Sequence, residues 1–235
     1  MEYNNQDFLI KDPIQIPRLF SKKEDIEIAG FFAALFAWGR RDIIVKKSKD
    51  LLQRMDYAPY EFITQSRAQD LKKLQGFVHR TFNDNDLLFT IHVLKNIYAK
   101  KGSMEYFFSN GVSSGLEELR LFFTNDPNYQ KRNGKHISSP QTGSACKRLN
   151  MFLRWMVRKD QKEVDFGLWQ VIQPRDLFCP LDVHVGKTAR RLGLLKRKQN
   201  DWKATVELTN SLKKFDPEDP IKYDFALFGM GLENT

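Results

Sequence analysis

The run from Ile26 to Trp38 is apolar nearly all the way round a helix, with Ile28, Ala29, Phe32, Ala33, Leu35 and Phe36 leaving no broad polar stripe. A helix of that kind has little to offer water, so other elements must enclose it. Ser21-Lys-Lys-Glu24 ahead of it has the spacing of a capping box, and Gly39 is placed to close it.

The enclosing elements also read as helices. Asp42 to Met55 is amphipathic, with Ile43, Ile44, Leu51, Leu52 and Met55 set against Lys46, Lys47 and Lys49. Further helices are expected over Asp84 to Lys101, stopped by Gly102, and over Ser114 to Phe123, Ser144 to Arg158 and Asp201 to Phe215. Another follows Asp182 directly, and a last one runs from Asp216 to Gly229, with Pro220 suited to its first turn. Strand-like alternation is scarce. The expectation is an all-α chain: a single domain of 235 residues with two helical lobes, 1–135 and 136–235, and a basic cleft between them.

Composition narrows the class of partner. A net charge of +9 favours a polyanion, nucleic acid before acidic membrane. Two cysteines, Cys146 and Cys179, are too few for a disulfide framework, and with four histidines they give no zinc spacing, so no metal or cofactor is expected. The longest apolar run, Ala29 to Trp38, is far short of the roughly 20 residues that cross a bilayer. The polar, acidic start Met1-Glu-Tyr-Asn-Asn-Gln-Asp7 is unlike a signal peptide. The expected setting is therefore cytoplasmic, associated with the nucleoid, and the expected state a monomer.

Two stretches are candidates for chemistry. Ser138 to Ser144, with Pro140 and Gly143, is a turn-rich run that opens a basic helix, and such a turn can present backbone N–H groups to a phosphate. On that helix Lys147, Arg154 and Arg158 fall on one stripe, within roughly 20° of Lys147, with Leu149, Phe152, Leu153 and Met156 on the other face. The plain reading of the three cations is a solvated face. The chemical reading starts from Lys147 at the helix N-terminus, where a cation opposes the macrodipole and an unprotonated amine is a nucleophile. The second stretch is Cys179-Pro-Leu-Asp-Val-His-Val-Gly-Lys-Thr-Ala-Arg-Arg-Leu-Gly193. Its Asp182 stands at the mouth of an otherwise basic helix, either as a backbone cap alone or as a reactive carboxylate.

Gly143-Ser-Ala-Cys-Lys-Arg-Leu149, followed 35 residues beyond Lys147 by Asp182-Val-His-Val, resembles the helix–hairpin–helix (HhH-GPD) DNA glycosylase superfamily, nearest in spacing to its archaeal 8-oxoguanine branch. Asp12-Pro-Ile-Gln-Ile-Pro-Arg-Leu-Phe20, Ala37-Trp-Gly-Arg-Arg41, His79-Arg-Thr-Phe82, Lys147 to Arg158 and Asp219 to Leu227 carry a closer likeness to a family of uncharacterised bacterial proteins placed beside that superfamily. The resemblance implies Lys147 as a Schiff-base nucleophile at C1′ and Asp182 as the carboxylate that takes its proton or steadies charge on the sugar. It further implies that the hairpin around Pro140, Gly143 and Ser144 holds a backbone phosphate, with Arg148, Arg154, Arg158 and Lys187 along the DNA. A flipped base needs an aromatic wall, for which Trp38, Trp155 and Trp169 are the candidates, although the plain reading of each is a core side chain. The superfamily's hairpin carries two glycines and this one only Gly143, and the cysteine spacing of the iron–sulfur glycosylases is absent. The implied activity is a glycosylase/lyase on an oxidised purine in double-stranded DNA. Its rivals are a nucleic-acid-binding protein without turnover and, further off, a basic surface for an acidic protein.

Overall fold

The computed structural model describes residues 12–159 and 164–232. The chain is 63% helix and 3% strand, which fixes the class as all-α. It divides into two compact units: Ile10–Phe107 with Glu118–Ile137, and Phe108–Glu117 with Ser138 onward.

In the N-terminal unit, two short 3-10 turns (Pro13–Gln15 and Pro17–Leu19) lead into α1 (Lys23–Leu35), α2 (Arg41–Arg54), α3 (Pro59–Gln65) and the one-turn α4 (Ala68–Leu71). A two-stranded antiparallel hairpin, β1 (Val78–His79) and β2 (Phe82–Asn83), precedes α5 (Asp84–Lys101). Next comes α6 (Val112–Thr124), which begins in the other unit and ends in this one. Every residue of α1 from Ile26 to Leu35 is buried, as its all-round apolar character demands. Around it Phe36, Phe77 and Phe82 meet pairwise at 5.3–6.4 Å between ring centroids, and Phe123 touches Phe31 and Phe89. Glu27 is buried too. Its carboxylate accepts hydrogen bonds from the hydroxyls of Tyr98 and Ser103 and from the Met104 amide, at 2.7–2.8 Å. Burial, together with that carboxylate, pushes the Tyr98 hydroxyl well above its usual range.

The expected capping box at Ser21 does not form. The helix starts at Lys23 with Lys22 as an N-cap that makes no side-chain bond, while Glu24 and Asp25 favour the positive end of its dipole. Nor does Gly39 close it: Phe36 is the C-cap, and Gly39 (φ +108°) serves the turn into α2. The α5 boundaries match the sequence signals because both ends are locally encoded. Asn83 and Asp86 form a reciprocal capping box, and Gly102 takes the left-handed C-cap conformation.

The C-terminal unit is built on α7 (Lys147–Val157), with α8 (Val183–Arg191), α9 (Trp202–Lys213) and α10 (Asp224–Leu232). All of α7 from Leu149 onward is buried. Helices α8 and α10 pack closely: a Cβ added at Gly231 would stand 3.0 Å from His184 Cβ and its carbonyl oxygen. Pro220 opens a 3-10 turn, Pro220–Tyr223, rather than the α-helix, which starts at Asp224.

Candidate active site

The Ser138–Cys146 segment forms a fixed loop. Pro140–Thr142 is a 3-10 turn ended by Gly143 in the left-handed region (φ +73°), where a glycine avoids the Cβ penalty. Thr142 Oγ1 donates back to the Ser139 carbonyl at 2.7 Å. Ser144 pairs with Asp201, and the Trp202 amide donates to the Gly143 carbonyl at 3.3 Å, so the start of α9 anchors the loop. Cys146 (φ +51°) then turns the chain into α7 without offering a side-chain cap.

Lys147, the first residue of α7, is half-buried. Its Nζ lies 3.7 Å from Met151 Sδ, a weak acceptor, and among the described residues it forms no ion pair. Asp182 is the N-cap of α8: Oδ1 accepts from the Val185 amide at 2.9 Å, and its carbonyl oxygen accepts from Asn200 Nδ2 at 3.0 Å. The capping reading of Asp182 therefore holds. Its other oxygen accepts no hydrogen bond among the described residues, which leaves a charge at the site.

Asp224, the first residue of α10, connects the two. It is buried, with Oδ2 on Arg154 Nη1 and Oδ1 3.9 Å from Cys179 Sγ. Burial raises its carboxyl to about 6; Asp182 adds to the rise, whereas Arg154 and Lys147 oppose it. Lys147 and Asp182 thus act electrostatically on one carboxyl group. Burial also pushes the Cys179 thiol well above its usual range, helped by Asp224 and Asp182, so this sulfur stays protonated and unreactive. Asp224 was not among the candidates for chemistry in the sequence. Asp165, inside a polar turn, carried no local signal.

Two expected phosphate contacts are corrected. Arg154 and Arg158 are 5% and 4% exposed, not a cationic row on the surface. Arg154 is held by Asp165 and Asp224, and Arg158 binds Asp219 through Nε at 2.9–3.0 Å and Asp165 through Nη1 at 3.1 Å. Ion pairing offsets the desolvation that burial of two guanidiniums costs. Trp155 and Trp169 are corrected as well. Both are core side chains, 0% and 2% exposed, with Trp169 packed against Phe108 and Phe152 at 5.3–5.4 Å, and neither can wall a base pocket. Trp38 is half-buried in the N-terminal unit, where the Arg80 guanidinium lies 4.9 Å over its ring and His79 meets it edge-on. Arg148 is half-buried, and desolvation lowers it to about 10. Lys187 is exposed on α8.

No group of three or more potential metal ligands occurs among the described residues. No described helix is long and apolar enough to cross a membrane.

The all-α chain has a place among known families. Over residues 12–233 it belongs to DUF2400, a family of proteins of unknown function. No curated protein and no solved structure matches it.

Proposed function

We propose that this protein binds double-stranded DNA and excises a damaged base by a glycosylase/lyase mechanism, with Lys147 as nucleophile and Asp182 as its acidic partner. One observation supports the reading above the rest. Lys147, at the head of α7 and without an ion pair among the described residues, and Asp182, at the cap of α8, both act on the buried carboxyl of Asp224.

In this mechanism the unprotonated amine of Lys147 forms a bond to C1′ as the C1′–N bond breaks, and the base leaves with that electron pair and a proton. Asp182 removes the amine's proton or stabilises positive charge on the sugar. The C1′–O4′ bond of the resulting C1′ amine then opens, with the ring oxygen taking a proton, and the imine so formed permits strand cleavage by β-elimination. The Pro140–Ser144 loop, with Arg148 and Lys187, supplies phosphate contacts. An oxidised purine such as 8-oxoguanine is the proposed lesion, on resemblance to the glycosylase superfamily.

Borohydride trapping on duplexes containing 8-oxoguanine or an abasic site tests this directly. The expected result is a covalent adduct with the native protein and none with Lys147→Arg. An adduct that persists in Lys147→Arg removes that residue from the mechanism. Salt-sensitive binding with neither adduct nor base release overturns the enzyme reading and leaves a nucleic-acid-binding protein on the same scaffold.

A further inference from the structure

Helix α2 carries charge that the fold does not use. Its sequence with the preceding residue, Arg40 to Arg54, holds six cations and two carboxylates. Arg40 and Arg41 crowd its N-terminal end, where the helix dipole disfavours them. Both carboxylates are already occupied. Asp42 takes a bidentate contact from Arg40 at 2.7–3.1 Å, and Asp50 is held by Lys47 and Arg54. Arg41 has contacts of its own, and what remains is Lys46 and Lys49, both exposed and, among the described residues, without a carboxylate partner.

These two lysines line a concavity. A cleft of about 1070 Å³ is bounded by Gln15 and by one stripe of α2 that includes Arg41, Val45, Lys46, Lys49 and Gln53. With the lining carboxylates neutralised from outside the stripe, the cleft presents a positive wall with amide groups at its rim. From Arg41 to Lys49 the wall runs about 12 Å at ~1.5 Å per residue. That equals the rise of three to four nucleotides of one strand at about 3.4 Å each. The positive lining suits a phosphodiester strand, and most of the helix's apolar residues, Ile44, Leu51 and Leu52, are buried within the unit, with Ile43 alone clearly exposed.

We infer that the α2 cleft is a docking surface for the phosphate backbone of nucleic acid, held by Lys46 and Lys49, separate from the Lys147 site. The choice of partner rests on the DNA reading above; the surplus charge and the cleft do not.

The test is anisotropy titration of an undamaged fluorescent duplex over a range of salt concentrations. It compares the native protein, Lys46→Gln/Lys49→Gln, and a control, Lys95→Gln/Lys100→Gln, which removes the same charge from the exposed side of α5. Two lost phosphate contacts lower the slope of log K against log salt by about 1.8, because each contributes about 0.9. The expected result is that drop in the α2 variant and a smaller one in the control, with melting temperatures unchanged. An equal drop in both variants overturns the site in favour of diffuse attraction. An unchanged slope in the α2 variant, with the native protein binding normally, overturns this inference alone. Failure of the native protein to bind any duplex overturns it together with the DNA reading. In a parallel sedimentation assay with phosphatidylserine-containing vesicles, α2-dependent binding without α2-dependent duplex binding would assign the cleft to a membrane instead.

Discussion

Arg154 Nη1 lies 2.5 Å from Asp224 Oδ2 inside the C-terminal unit, and Asp165 reaches the same guanidinium at Nε, 3.3 Å away. Even with this cation against it, Asp224 titrates near 6, above its ordinary 3.8, because burial outweighs the pairing. The folded state therefore holds the Asp224 proton more tightly than the unfolded state does. The stability this group contributes is full below pH 3.8 and is lost as pH rises through 6. Measured by urea denaturation, the stability of the native protein relative to Asp224→Asn is expected to fall by up to about 3 kcal/mol between pH 4 and 7. A difference that stays flat with pH would refute the raised titration.

Removing Arg154 is a different experiment. Arg154→Met strands Asp224 and removes a contact of Asp165 in a buried setting, and truncating one partner of such a network costs about 3–5 kcal/mol. Lys187→Met, at an exposed position, is expected to stay within about 0.5 kcal/mol of the native protein. Equal losses for the two in chemical denaturation would contradict the assignment of Arg154 to the interior.

Asp182 has two roles that substitution can separate. Asparagine keeps an oxygen for the Val185 amide, so Asp182→Asn is expected to leave stability within a few tenths of a kcal/mol, whereas Asp182→Ala loses about 1 kcal/mol with the cap. If Asp182 also serves the reaction, both variants lose base release to a similar degree. Activity that followed melting temperature across the pair would mark a cap and nothing more.

At Gly231 two effects oppose each other. Alanine is a better helix former than glycine by about 1 kcal/mol. Its Cβ, however, would meet the His184 carbonyl oxygen at 3.0 Å and Thr188 Oγ1 at 3.1 Å, one of them main chain that cannot swing aside. Overpacking of this kind costs about 1–3 kcal/mol, so Gly231→Ala is expected to destabilise the C-terminal unit on balance. Thermal melting decides the sign.

The legible parts of this chain were those whose cause is local. The box at Asn83 and Asp86, the stop at Gly102 and the caps at Asp182 and Asp201 lie within four residues of what they control, and the helices they bound fall where expected. The α7 cations were read as a surface because the helix itself, Lys147–Val157, contains no acidic residue. Their partners lie at 165, 219 and 224, up to 70 residues away, and only the folded chain brings these together. Trp155 and Trp169 could not be sorted between core and pocket for the same reason, since a tryptophan's burial is decided by what packs over it. The Val78–Asn83 hairpin was missed because two-residue strands are too short to show alternation.

A cylinder greasy on all sides has no preferred rotation about its own axis, and sliding it by one turn exchanges one apolar contact for another. Glu27 removes that freedom from α1. Its two oxygens meet three donors, from Tyr98, Ser103 and Met104, in a single orientation and at a single height. Any other setting of the helix would bury a carboxylate with nothing to bind. One polar side chain thus acts as a locating key, converting a segment suited to many packings into one with a unique register.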